Sequence, residues 1–317
     1  VSPPASGRTA GRPVALPDIL DFLDRVAGWD TAAWSRQKER FESTFGILPM
    51  TPPNQPGPVV LQATIGDSGE NPVGFGGSAS CPLYVRDSDE FHRHLESVKH
   101  LWHRRMPQAR GIYLAGSELI HQPMPKVLEV LDEVQKNLAE LTIDSPARLI
   151  DPPPTLFKSD LQMLTFSPGH QVPTVEMLTE YRHRGLVHIT IAIESVLQSI
   201  RAKYGRNWPE EQLASFINNC NESGLKYSLV LLVGGEGGSD MQTGDDALAF
   251  FDRLPVESGT LVYLLDAAET ATPAWKQAMN IADSNSAALF ALRDQLATHL
   301  KERKIRVLHY TLEKEWQ

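Results

Sequence analysis

The sequence predicts an α/β fold in which parallel strands and helices alternate into a partial barrel of six units, preceded by a helical extension. Three observations carry this expectation. Strand-length apolar runs recur between helix-length segments along most of the chain, the pattern of a parallel sheet wrapped by helices. The run Tyr227 to Val233 is apolar almost throughout, as a strand buried on both faces must be. A chain of 317 residues with 41% hydrophobic content is long enough to bury one core of this size.

The elements follow in order. Residues 1–15, rich in Pro, Ser and Gly, are expected to be a disordered tail. Ile19, Leu20, Phe22, Leu23 and Val26 recur at helical spacing and predict a helical extension, which ends in a proline-rich linker reaching residue 57. The core is expected over 58–270. It starts with a strand from Pro58 to Ile65, a helix from Ser88 to about Arg105, a strand at Gly111 to Ala115 and a helix from Met124 to Leu141. Further strands are expected at Leu161 to Phe166, His188 to Ile193, Tyr227 to Val233 and Thr260 to Leu265. Gly224 is placed to cap the helix Pro209 to Ser223. Residues 271–317 are expected to add a helix from Ser284 to Arg303 and a last strand, Ile305 to His309.

Composition excludes several functions. The net charge is -9 and the basic residues are scattered, which argues against nucleic acid and anionic membrane as partners. No stretch approaches the roughly 20 apolar residues of a membrane span. Two cysteines, Cys81 and Cys220, make no disulfide framework and point to a reducing cytoplasm. A small-molecule ligand, with a possible protein partner, fits this balance. The histidines of the first core helix, His92, His94, His100 and His103, share no ligand spacing and are expected to be solvated.

In a parallel barrel, chemistry sits at the carboxyl ends of the strands. The first strand is followed by Thr64-Ile65-Gly66-Asp67-Ser68-Gly69-Glu70-Asn71-Pro72-Val73-Gly74-Phe75, the second by Gly116-Ser117-Glu118, the fourth by Glu194-Ser195 and the fifth by Gly234-Gly235-Glu236-Gly237-Gly238. Bland readings exist for each: an exposed acid on a turn for Glu118, a helix cap for Glu194, an exposed helical arginine for Arg201. His170, in the loop after the third strand, is a candidate general base.

Taken together in this order, the segments resemble the radical SAM superfamily over about residues 58–270. The resemblance implies an α/β fold with a partial (β/α)6 TIM-type barrel. It also implies that Gly116, Ser117, Glu118, Glu194, Ser195, Arg201, Gly234, Gly235 and Glu236 bind S-adenosylmethionine, with Glu118 on the amino group and Arg201 on the carboxylate. The superfamily holds a [4Fe-4S] cluster with C-x3-C-x2-C, and those positions here read Asp67, Asn71 and Gly74, with Cys81 the one thiolate near the loop. No cluster and no metal are therefore expected. The implied function is a divergent enzyme that binds S-adenosylmethionine or a similar molecule and acts on a small metabolite, with Asp67 and His170 as candidate catalytic groups. The alternative is a non-catalytic partner or scaffold for another enzyme.

Overall fold

The structure is a computed structural model, and it describes residues 16–46, 50, 53–54, 57–66, 82–102, 111–116, 118–143, 161–168, 171–234, 244–270, 276–277, 281 and 286–311. The expected tail, the loop from Asp67 to Gly74 and Cys81 lie outside the described residues. The chain forms two compact units, Val1–Thr44 and Phe45–Gln317.

The first unit contains two helices, α1 (Leu16–Ala27) and α2 (Thr31–Thr44). Asp30 accepts from the backbone N–H of Ala33 at 2.7 Å and so caps the start of α2. Trp29 and Trp34 meet across the break, with ring centroids 4.8 Å apart and planes tilted by 57°. Ile19, Leu20, Leu23 and Val26 are exposed.

The second unit is built on a seven-stranded parallel sheet. Its strands are β1 (Val59–Leu61), β4 (Ile112–Leu114), β5 (Leu161–Thr165), β6 (Leu186–Glu194), β7 (Lys226–Val233), β8 (Leu261–Asp266) and β9 (Arg306–Tyr310), in that spatial order. Every described pairing in this sheet is parallel between neighbours in sequence, as right-handed strand–helix units require. The expected fold class is therefore borne out, with the last predicted strand lying beside β8 as the seventh strand. The expected opening strand is shorter than its apolar run. After Leu61 the chain leaves the sheet, and Thr64–Ile65 (β2) pairs antiparallel with Tyr84–Val85 (β3).

The helices on the sheet are α3 (Ser88–Trp102), α4 (Met124–Ile143), α5 (Val175–His183), α6 (Gln198–Lys203), α7 (Glu210–Ser223), α8 (Gly244–Arg253), α9 (Ala267–Thr270) and α10 (Ser286–His299). The capping expected of Gly224 is observed. Its φ is +72°, and the backbone N–H of Leu225 closes the helix end on the Cys220 carbonyl at 3.0 Å. Arg303 similarly closes α8, donating to the carbonyls of Phe251, Leu254 and Val256.

The central strands carry the core. Ile189, Ile191, Leu229, Leu231, Val262 and Leu264 are all buried. Burying each such side chain contributes about 1.5–3 kcal/mol. Because side chains alternate along a strand, His188 and Thr190 share the opposite face from Ile189 and Ile191. There the His188 ring meets Ser228 Oγ at 3.0 Å, and Ser228 donates onward to Thr190 Oγ1 at 3.4 Å. The imidazole and the two hydroxyls thus form one buried chain of polar contacts. Burial, with a smaller contribution from Lys226, pushes the His188 pKa down to about 4. An unfolded histidine titrates near 6.5, so the unfolded chain takes up the proton first as pH falls. Stability from the neutral imidazole is complete above roughly pH 6.5 and declines as pH falls toward 4. Between pH 7.5 and 5 the loss is expected to be about 2 kcal/mol. Urea denaturation at the two pH values checks it, with His188→Asn as control; an equal loss in that variant rules His188 out as the source.

Candidate functional site

The carboxyl ends of the strands gather the candidate residues, and the local sequence explains how each is held. After β4, Gly116 lies against the end of β1's excursion. A Cβ at Gly116 would stand 2.5 Å from the Thr64 carbonyl oxygen and 3.0 Å from its nitrogen. Gly116 is small because the backbone of Thr64 occupies its side-chain space, a reason that single-sequence reading assigned to a ligand.

Glu118 follows at the start of a 3-10 turn, Leu119–His121, and is buried, which excludes the exposed-acid reading. Its carbonyl accepts from the Gln122 side chain at 3.1 Å. His121, which sequence reading passed over, meets Thr165 Oγ1 at 3.0 Å and Ser167 Oγ at 3.4 Å. Thr165 Oγ1 donates its own proton to the Ser167 carbonyl at 2.7 Å. Nε2 of His121 is therefore assigned as the donor, and it cannot also deprotonate Ser167. The contact ties the β4 and β5 ends together and forms no nucleophile–base pair.

Glu194 closes β6 with φ +67°, a left-handed conformation that a glutamate adopts only under constraint. The constraint is visible. The β6–β7 register slips between Ala192 and Glu194, and the backbone N–H of Ser195 folds back onto the Ile193 carbonyl at 2.9 Å. The Glu194 carboxylate is fully buried and accepts from Arg206 Nε at 3.2 Å. Arg206, buried as well, lies with its guanidinium 5.0 Å from the centre of the Phe166 ring. The cap reading of Glu194 is excluded, because Leu197 occupies the N-cap of α6 with no side-chain cap bond. Sequence reading missed Arg206. The available signal was a second arginine shortly after Arg201 on the same connection, in R-A-K-Y-G-R.

Arg201 is not an exposed helical arginine, being 1% exposed. It donates from one terminal nitrogen to the carbonyls of Ser195 and Val196, both at 2.9 Å, and its guanidinium lies 4.2 Å from the Trp208 ring centre. Burial pushes its pKa down to about 10.

Gly234 ends β7 with φ +81°, and Asp266 ends the neighbouring β8, buried and accepting from the Ala268 N–H at 2.9 Å. Residues Val233 and Asp266 are register partners, so these ends adjoin. The structure thus brings Gly116, Glu118, Glu194, Ser195 and Gly234 to the same end of one sheet. Ser117, His170, Gly235 and Glu236, like Asp67, lie outside the described residues. His94 departs from expectation: it is buried, and its Nε2 accepts from the Gln62 N–H at 3.0 Å, so it holds the turn after β1 and is not solvated.

No protein-family model and no curated protein matches the sequence. Solved structures do match in fold. HydG, a maturase of the [FeFe]-hydrogenase, aligns over 78% of this chain and 50% of its own, with a TM-score of 0.50 and 10% identity. A radical SAM methyltransferase from Sphaerobacter thermophilus aligns over 83% of this chain and 68% of its own, with a TM-score of 0.49 and 12% identity. The radical SAM methyltransferase TsrM from Kitasatospora setae aligns over 66% of this chain, with a TM-score of 0.43 and 14% identity. This chain spans 37% of the length of TsrM.

The comparison corrects one expectation. TsrM was solved with cobalamin and a [4Fe-4S] cluster bound, so the expectation that no cluster goes with this chain is withdrawn. Among the described residues Cys220 does not fit such a cluster, because burial in α7 pushes its thiol up to about 12 and keeps it protonated. Also among the described residues, no helix is long and apolar enough to cross a membrane. With its seven parallel strands in sequence order and buried polar groups at their carboxyl ends, the chain has the partial-barrel fold of radical SAM enzymes.

Proposed function

We propose that this chain is a radical SAM-like enzyme that binds S-adenosylmethionine, or a small molecule with the same cationic amino-acid head, at the carboxyl ends of its strands, and acts there on a small metabolite. The observation that carries the reading is the burial of Glu118, Glu194 and Asp266 at the ends of three strands of one sheet. Buried titratable groups at the carboxyl ends of barrel strands are where such a fold keeps its ligand sites. Glu194 is compensated by Arg206. Glu118, on the turn after β4, is the group we assign to a ligand ammonium, which it would hold by a charge-assisted hydrogen bond. Gly234, in a conformation that favours glycine, brings main chain to the same end. Bound S-adenosylmethionine would supply an electrophilic sulfonium; the residues of the chain bind and orient it.

Titration calorimetry tests the reading. Micromolar affinity for S-adenosylmethionine is expected, weakened at least tenfold by Glu118→Gln. A wild-type protein that gives no heat with S-adenosylmethionine, in a preparation shown to be folded by circular dichroism, refutes the reading.

A further inference from the structure

We infer that Arg201 is the positioning residue of this site: it sets the course of the Glu194–Ser195–Val196 turn from behind and touches no ligand. This rests on the reading of the strand ends as the ligand site, and it changes the role that the resemblance implied for this arginine. The geometry is specific. One guanidinium nitrogen bridges two consecutive carbonyls, Ser195 and Val196, at 2.9 Å each. These are the residues directly after the left-handed Glu194, where the strand stops pairing and the chain must reverse. The guanidinium plane is packed against Trp208 on one side, with the Phe250 ring centre 5.8 Å away. Trp208 and Phe250 are themselves buried. A cation held this way has its direction fixed by rings and one terminal nitrogen fixed by two backbone carbonyls, so it transmits the position of α6 to the turn.

The neighbouring arginine divides the task. Arg206 donates to the Glu194 carboxylate, and its own backbone N–H bonds the Arg201 carbonyl at 2.8 Å. Residues 194, 195 and 196 are therefore held in succession by two buried guanidinium groups from one short connection. Arg206 balances charge and Arg201 fixes backbone. With its bridging nitrogen spent on carbonyls and the whole residue 1% exposed, Arg201 does not reach a ligand carboxylate at the strand ends.

Two variants test this, Arg201→Lys and Arg201→Gln, each studied well below its unfolding midpoint. Lysine keeps the charge and glutamine keeps a planar donor, but neither bridges two carbonyls while stacked. Hydrogen exchange is the first readout, and it needs no ligand. Amides of Ser195 to Leu197 are expected to exchange at least tenfold faster in both variants, with β7 and β8 within a factor of three of wild type. Affinity for S-adenosylmethionine is the second, expected to fall at least tenfold. Unchanged exchange at Ser195 to Leu197, or acceleration by the same factor across the whole sheet, overturns the positioning role. A wild-type protein that does not bind S-adenosylmethionine defeats the ligand reading alone, since the exchange result still decides the role of Arg201 in the turn. If the wild type binds and both variants bind equally well, the positioning role is overturned.

Discussion

Arg206→Met is expected to destabilise the protein by about 3–5 kcal/mol, among the largest losses available to a single substitution here. The reason is the carboxylate left behind. Glu194 is fully buried, and Arg206 Nε donates to it at 3.2 Å. Removing the cation leaves a fully buried carboxylate that has lost its arginine partner in a low-dielectric surrounding, where charge is costly. Removing both charges avoids that penalty, and a buried pair replaced by groups of similar volume is often neutral. The double variant Glu194→Gln with Arg206→Met is therefore expected to recover most of the loss. Urea midpoints of the four proteins in the double-mutant cycle give the coupling directly. A single Arg206→Met variant within about 1 kcal/mol of wild type would show that the pair does not carry the turn.

Gly116→Ala is expected to cost about 3 kcal/mol, the upper part of the range for overpacking. The added methyl would sit 2.2 Å from Thr64 Oγ1, 2.5 Å from Thr64 O and 3.0 Å from Thr64 N. The hydroxyl can rotate away; the carbonyl and the nitrogen belong to the backbone and cannot. This distinction yields a sharp control. Adding Thr64→Ala removes the hydroxyl and the γ-methyl but leaves the Thr64 carbonyl and nitrogen in place, so it is expected to leave Gly116→Ala at least 2 kcal/mol below wild type, about two thirds of the clash cost. Full rescue by Thr64→Ala in a thermal or urea series would place the clash on the side chain.

Much of the barrel was legible in the sequence because its strands are buried on both faces and announce themselves by composition. The β7 run and the β6 run stand out for this reason, and α7 is bounded by a proline before it and Gly224 after it. The two-residue hairpin of β2 and β3 was not legible. Its strands are too short for a period to emerge, and its partners Ile65 and Tyr84 lie on either side of a long glycine-rich stretch. The positions of Glu194 and Gly234 at strand ends could be read from a carboxylate or glycine directly following an apolar run, and that of Glu118 from an acid two residues past the Gly116 turn. Their partners could not. Arg206 lies 12 residues beyond Glu194, past a helix of six residues, and only the way the connection folds back brings the two together. Gly116 shows the same limit in reverse: the sequence reveals that the position is small, and only the path of Thr64 reveals what fills the space. His94 was misread because a helical histidine facing a backbone N–H has the same local sequence as one facing water.

Cys220 gives the folded barrel a clock. Its thiol sits inside α7 against the core, fully buried and held protonated, so an alkylating reagent reaches it only when that part of the molecule opens. Its labelling rate, read as mass on the peptide containing residue 220, counts those openings one molecule at a time. A ligand that favours the closed barrel would slow the count by the factor by which it is bound, so a native thiol, with no added probe, can register occupancy of the proposed site at the carboxyl ends of the strands.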